Sequence, residues 1–426
     1  MEEKLISTGM RYKAKFILIC TLWLLYSCSK QTQKITLTLF TWTSYEEYKA
    51  NLTLVSNFQK MYPRVKVKII NDPTTAAMDK LQTMIAGGVP PDVMSIHGAF
   101  FIPLASRGAL LDLEKYVVAD KELDLLDFYP RLLKICRYKD KLYSLPRYAS
   151  VYVLFYNKDL FDRNNLSYPN ENWTWRDYLN AAIKITKDTD NDGRIDIYGC
   201  VIDFWGARIY PWLWQNNGDV FNENKTECIL NSKECVEAIQ FLVDLQYKYR
   251  VTPQTLPNEY KNNVEMFVSG KVGMFISGAW DIQKIRKSLN FSWDIAPLPK
   301  NKTRATLLGT ENYAISSKTK YPNESYLLLK YLVSKEAQKF MIDTLEKQPS
   351  RISVSKYYLL KSTGYNRRVL VDALNYGKEP PNIPEWNQLL PIFQTELDYI
   401  WVGKKSVVEG LSSATEKINQ MIKKYP

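Results

Sequence analysis

The chain has 426 residues, with 57 Lys and Arg against 45 Asp and Glu and a formal net charge of +12 at pH 7. That length holds two domains with substantial cores, and its basic residues are interspersed with acidic ones without zinc-ligand spacing, so nucleic acid is not an expected partner. A single histidine, His97, and six cysteines without a C-x-x-C pair leave little for a zinc site and, unless His97 serves as base, exclude Ser-His-Asp and Cys-His catalysis.

Arg11, Lys13 and Lys15 precede an apolar run from Phe16 to Tyr26 that ends at Leu25-Tyr26-Ser27-Cys28. A basic stretch followed by a short apolar one is a secretory signal, and the run falls short of the about 20 residues that span a bilayer. A small residue followed by Cys at the cleavage position resembles a bacterial lipobox. On that reading residues 1–27 are a lipoprotein signal peptide, Cys28 is the lipidated first residue and 28–34 form a tether. A plain secretory signal with an incidental Cys28 is the alternative. The expected location is extracytoplasmic, anchored to the bacterial cell membrane by the lipid on Cys28; no later segment approaches a membrane span.

Ile35, Leu37 and Leu39 alternate with Thr36, Thr38 and Phe40 as an opening strand. Ser44 and Glu47 carry a capping-box signature, and Tyr48, Leu52, Val55, Phe58 and Met61 follow at helical spacing up to Pro63. Val65, Val67 and Ile69 form a second strand, Ala76 to Ala86 a helix stopped at Gly87-Gly88, and Asp92 to Ile96 a third strand. This alternation is that of an α/β domain with a largely parallel sheet. The pattern restarts at Val151–Tyr156, with helices near Thr174–Thr186 and Ser232–Tyr249, a strand at Val272–Ser277, one long helix from Asn323 to Met341, and a terminal helix through Val407, Leu411, Ala414, Ile418 and Met421. Crossings between two lobes are expected near Leu145–Tyr148, Leu308–Asn312 and Pro349–Arg351. Cys228 and Cys235 flank a strand-to-helix turn and could bridge in an oxidising compartment, a pairing that spacing alone does not show.

Several stretches, in this order and behind the signal, resemble the extracellular solute-binding proteins of family 1, the sugar-binding receptors of ABC importers: Ala86-Gly87-Gly88-Val89-Pro90-Pro91-Asp92-Val93, Leu154 to Phe161, Met266-Phe267-Val268-Ser269-Gly270-Lys271-Val272-Gly273-Met274 with Gly278-Ala279-Trp280, and Pro381-Asn382-Ile383-Pro384. The resemblance runs from about Ile35 to the C-terminus. It implies an α/β, two-lobed periplasmic-binding-protein-like (type II) fold, with a ligand cleft between lobes joined by multiple crossings. The expected partition is 35–147 plus 312–350 for the N-terminal lobe and 148–311 plus 351–426 for the C-terminal lobe. Ligand-driven closure would then be read by the transmembrane subunits of an ABC permease. The receptor is expected to be a monomer and not an enzyme.

The resemblance places Trp280 where an aromatic ring stacks on a sugar, and Tyr148 where a crossing faces the cleft. Asp281 either accepts ligand hydroxyls or caps the next helix. Trp42 and Glu46, in the turn after the first strand, and His97, after the third, lie at carboxyl ends of strands, where α/β sheets place ligands; helix capping and a loop hydrogen bond are the competing roles there. From the aromatic segment Asp203 to Trp214, Trp205 and Tyr210 are expected in the cleft. Glu311, Asn312 and Arg351 fall at crossings, Arg351 either gripping a ligand or tying the hinge. Asp188, Asp190, Asp192, Arg194 and Asp196 have calcium-loop spacing with Gly193 in the sixth place, but Gly199 stands where an EF-hand has its bidentate Glu. A structural calcium and an ion-free Asx turn are both open; no other cofactor is expected.

Twenty-nine Tyr and eleven Trp favour a carbohydrate ligand, and an oligosaccharide is expected. The other readings keep the fold with a polyamine, phosphate ester or acidic sugar, make the chain a sensory receptor, or make it an anchored glycan hydrolase, for which no spacing singles out an acid–base pair.

Overall fold

The computed structural model describes residues 34–254, 263–361, 364–381 and 383–423. The signal peptide, Cys28 and Asn382 lie outside them. The strands are β1 (Ile35–Thr41), β2 (Val65–Asn71), β3 (Val93–His97), the short pair β4 (Arg137–Tyr138) and β5 (Lys141–Leu142), β6 (Ser144–Asn157), β7 (Tyr198–Val201), β8 (Val272–Gly278), β9 (Trp293–Ala296) and β10 (Leu308–Ile315). The main sheet runs β2-β1-β3-β10-β6-β8-β7, with β9 also paired to β6.

β1, β2 and β3 are parallel neighbours, and β10 enters antiparallel to β3. The alternation read in β1 is real: Leu37 and Leu39 enter one core, and Phe40 enters another on the opposite face. β6 has 14 residues, all but Ser150 buried, which is why it reads as a continuous apolar run. Its first half pairs with β10 and its second half with β8 and β9. β6 and β10 therefore run side by side from one lobe into the other.

The third crossing lies against the first, with Tyr148 bridged to Pro349 and the Ala149 N–H donating to the Gln348 carbonyl at 3.1 Å. The register shift opposite Glu311 and Asn312 leaves Arg147 as the extra, bulged residue of β6 between Pro146 and Tyr148, a device that bends a strand and re-aims its side chains. Around the crossings one core joins Leu132, Ile135 and Ile342 to Val151, Phe275 and Leu370, so chain segments from both sides share it. A separate, aromatic core gathers Trp175, Tyr178, Trp214, Phe393 and Trp401.

Two sequence expectations change. The helix expected from Asn323 to Met341 is two helices, Pro322–Leu332 and Lys335–Leu345. Ser334 starts the second by accepting the Ala337 N–H at 3.1 Å, and such a cap can end one helix and begin another within a continuous apolar pattern. Cys228 and Cys235 are buried free thiols rather than a disulfide. The terminal helix, Val407–Ile422, opens with a capping box between Ser406 and Glu409. Among the described residues, no helix is long and apolar enough to cross a membrane.

Candidate ligand-binding cleft

At the carboxyl ends of β1 and β3, Trp42 and His97 meet edge to face at 5.6 Å, and Phe100 stands 6.5 Å beyond His97. His97 begins the helix Gly98–Ser106 by accepting the Ala99 N–H on Nδ1 at 3.2 Å, which leaves Nε2 to carry the proton of the neutral ring. Desolvation by its surroundings lowers the His97 pKa below the usual imidazole value. Trp42 Nε1 is buried without an acceptor among the described residues. His97 thus caps a helix through one nitrogen and has the other available for a ligand.

The crossings enclose four charges. Arg147 ion-pairs with Glu47 at 2.7 Å and Glu311 at 3.2 Å, and its Nη2 donates to Asn51 Oδ1 at 2.9 Å. Lys347 reaches the other oxygen of Glu47 at 2.7 Å. Burial opposes the charge on Glu47, but Arg147 and Lys347 together hold its carboxyl below the usual range. Glu311 goes the other way: burial and the nearby Glu47 push it up despite both cations. Tyr148 lies over this group, 4.4 Å from the Arg147 guanidinium and 5.3 Å from Lys347 Nζ. Glu47 is therefore an ion-pair residue; Ser44 accepts its N–H, but no return bond completes the box. Glu46, one residue earlier, is exposed in the first turn of the helix Tyr45–Met61.

The opposing wall comes from the end of β8 and the start of the helix Gly206–Gln215. Trp205 and Trp280 are 41% and 44% exposed, the two most exposed tryptophans among the described residues. The Trp280 ring folds back over Gly278 at the end of β8, where a Cβ would overlap ring atoms Cζ3, Cη2 and Cε3. This explains the Gly-Ala-Trp spacing. Behind Trp280, Tyr152 meets it edge to face at 5.5 Å and the Arg208 guanidinium lies 5.3 Å from its centroid. Arg208 pairs with Asp203 at 3.1 Å and donates to Ser277 Oγ at 3.3 Å, while Ser277 in turn donates to Asp281. Burial pushes the Asp203 carboxyl up to about 6 against the pull of Arg208, and raises Asp281 as well. Asp281 makes no side-chain cap to the following helix.

Between this wall and the crossings, Tyr148, Trp280, Gln283, Glu311, Lys347 and Gln348 line a cavity of about 60 Å3, room for a few waters. Of the expected cleft residues only Tyr148 and Trp280 line this cavity; Trp42 and His97 stand at strand ends, and Tyr210, Asn312 and Arg351 are held elsewhere. Tyr210 is buried among Trp214, Trp386 and Phe393; five residues after Trp205, it falls on the opposite side of the helix Gly206–Gln215. Asn312 is fully buried, accepting from Cys136 Sγ at 3.4 Å. Arg351 ties the backbone, donating to the Val333 carbonyl at 2.8 Å and to Asp127 at 3.2 Å while stacked 4.0 Å over Phe128. Arg147, Lys347 and Arg208 were not singled out from the sequence. A lone cation inside an apolar run, as in Leu145-Pro146-Arg147-Tyr148 and Gly206-Ala207-Arg208-Ile209, is the signal they offered.

In the acidic loop, carboxylate oxygens of Asp188, Asp190 and Asp196 lie within 4.8 Å of one another, without Asp192 or Arg194. Asp188 accepts the N–H groups of Asn191 and Gly193 at 2.8 and 2.9 Å, and Asp196 accepts that of Thr189 at 2.7 Å. The three oxygens fit part of a hard-cation donor set, and the loop also satisfies them with its own backbone.

The family model for bacterial extracellular solute-binding proteins matches residues 42–339. A galactooligosaccharide-binding protein of Bacillus subtilis (strain 168) is 24% identical over 397 residues, covering 90% of this chain and 89% of that protein. A maltodextrin-binding protein of the same organism is 24% identical over 399 residues, 92% of this chain and 91% of that one. An ABC substrate-binding protein of Listeria monocytogenes, solved in complex with cycloalternan, superposes with a TM-score of 0.83 at 27% identity, covering 92% of this chain and 99% of that chain. The chain belongs to the bacterial extracellular solute-binding protein family.

Proposed function

We propose that this chain is the receptor of an ABC importer and that it captures an oligosaccharide between its lobes. The observation that carries this reading is Trp280: an indole on a glycine, left open to the cleft and backed by a charged hydrogen-bonding cluster. A flat apolar face suits the C–H side of a pyranose, and the surrounding polar groups suit its hydroxyls. Relatives that bind galactooligosaccharide and maltodextrin support it. A ligand touching Trp280 on one lobe and Trp42 and His97 on the other favours the closed form by the contacts it makes only there. The permease then recognises the closed form.

The receptor acts as a monomer outside the cytoplasm, with Cys28 carrying the lipid; one acyl chain binds only marginally, so two or more are needed. Fluorescence titration of the fragment from Ser29 onward with malto- and galacto-oligosaccharides should give a saturable change that Trp280→Ala abolishes while the fold is retained. Silence across the saccharides, with a response to spermidine, would overturn the ligand assignment. Cys28→Ser should release the protein from cells into the medium, and retention on the membrane would refute the anchor.

A further inference from the structure

The protein is strongly basic as a whole, yet the cations at its cleft are already committed. Arg147 is held by Glu47, Glu311 and Asn51. Lys347 is held by Glu47, and Arg208 by Asp203 and Ser277. Arg351, expected either to grip a ligand or to tie the hinge, is buried away from the cavity on Asp127 and Val333.

The carboxylates are less fully used. Glu311 receives one hydrogen bond, from Arg147 Nη1 on Oε2, and Oε1 has no donor among the described residues. It lines the same cavity as Trp280 and Tyr148. Asp281 likewise receives its one side-chain hydrogen bond on Oδ2, from Ser277. With His97 neutral, the crossings contribute two cations and two carboxylates, and the Trp280 wall one cation and two carboxylates. At the edge of the cavity Glu346 is held by Arg286 and Arg367, so among these described groups every cation is paired and acceptors remain open.

We infer that Glu311 is a ligand-binding residue that accepts hydroxyl hydrogen bonds at the floor of the cleft, and that the site selects an uncharged saccharide over acidic saccharides and phosphate esters. This deepens the saccharide-receptor reading and rests on it. The bulge opposite Glu311 gives the geometric reason: Arg147 is the extra residue of β6 there and meets Glu311 on Oε2, while the Glu311 side chain lines the cavity. A ligand hydroxyl can donate to Oε1 without disturbing the Arg147 pair. A ligand carboxylate or phosphate in the same place meets Glu311 with no free cation to compensate, and an unpaired buried charge is strongly disfavoured.

The test titrates the wild-type protein calorimetrically with galactotriose and maltotriose, with trigalacturonate and sn-glycerol 3-phosphate, and with spermidine, then repeats the series on Glu311→Gln. The expected result is saturable binding of a neutral trisaccharide, with the two anions at least about 100-fold weaker. Glu311→Gln should weaken the neutral ligand about 10- to 100-fold, the range for a hydrogen bond to a charged group. Wild-type binding of either anion as tight as the neutral sugar overturns the selectivity whether or not the variant folds. A folded Glu311→Gln within twofold of wild type overturns the role of Glu311. Response to spermidine alone overturns the saccharide reading itself, a separate failure.

Discussion

Gly278→Ala adds one methyl group and leaves every proposed ligand contact in the sequence. Its effect should nevertheless approach that of deleting Trp280, because the indole occupies the space the methyl needs. The backbone does not resist the change, since Gly278 has φ −91° and pairs regularly with Tyr152; stability should stay within about 1 kcal/mol of wild type. The ring must then leave the platform formed by Gly278, Tyr152 and Arg208. Trp280 is 44% exposed, and with about 150–250 Å2 for a whole aromatic side chain, covering that open part removes roughly 100 Å2 from water. At about 25 cal/mol per Å2, this is roughly 1.5–2.5 kcal/mol, or about 10- to 70-fold in Kd. Calorimetric titration of Gly278→Ala, Trp280→Ala and the double variant forms a cycle. The double variant should bind no more weakly than Trp280→Ala alone, because both substitutions remove the same contact. Wild-type affinity in Gly278→Ala, or additive losses in the double variant, would refute the glycine-platform argument.

Asp203 tests the electrostatics of the same wall. Its native pKa is raised to about 6 from 3.8, so the native state binds the extra proton between those values and wild type gains stability as pH falls through that window. The difference between wild type and Asp203→Asn should shift toward wild type by about 2.5 kcal/mol from pH 7 to pH 4, and urea unfolding curves that stay parallel would refute it. Arg351→Ala should cost about 3 kcal/mol by stripping Asp127 of its buried partner, with ligand affinity of the folded protein unchanged; a binding loss without a stability loss would return Arg351 to the cleft. Calcium at millimolar concentration should raise the melting temperature by a few degrees through ligand linkage, and Asp188→Asn should remove the increment. An unchanged melting temperature would make the acidic loop a self-sufficient turn.

Strands were legible wherever one face differed from the other, as in Val65, Val67 and Ile69, and a helix start where the cap was local, as at Ser44. Trp280 was legible from its glycine-bearing motif. The charged cluster at the crossings was not, because Glu47, Arg147, Glu311 and Lys347 are distant in sequence and β6 is buried on both faces, which erases the alternation that would orient Arg147. The phase of the aromatic helix was also hidden. In Trp205 to Trp214 apolar residues occur on every side, so only the packing of Phe393 and Trp386 distinguishes Tyr210 from Trp205. Arg351 looked equally suited to ligand or hinge until Asp127 and Phe128 were placed beside it.

Small-angle scattering from the mature, soluble protein, recorded with and without a saturating neutral oligosaccharide, tests the central claim most directly. The account expects a single saturable transition to a smaller radius of gyration, at the concentration where tryptophan fluorescence also saturates, with the sugar recovered intact. A saccharide that never changes the scattering curve, or is recovered hydrolysed, would contradict a receptor that works by closing on its ligand.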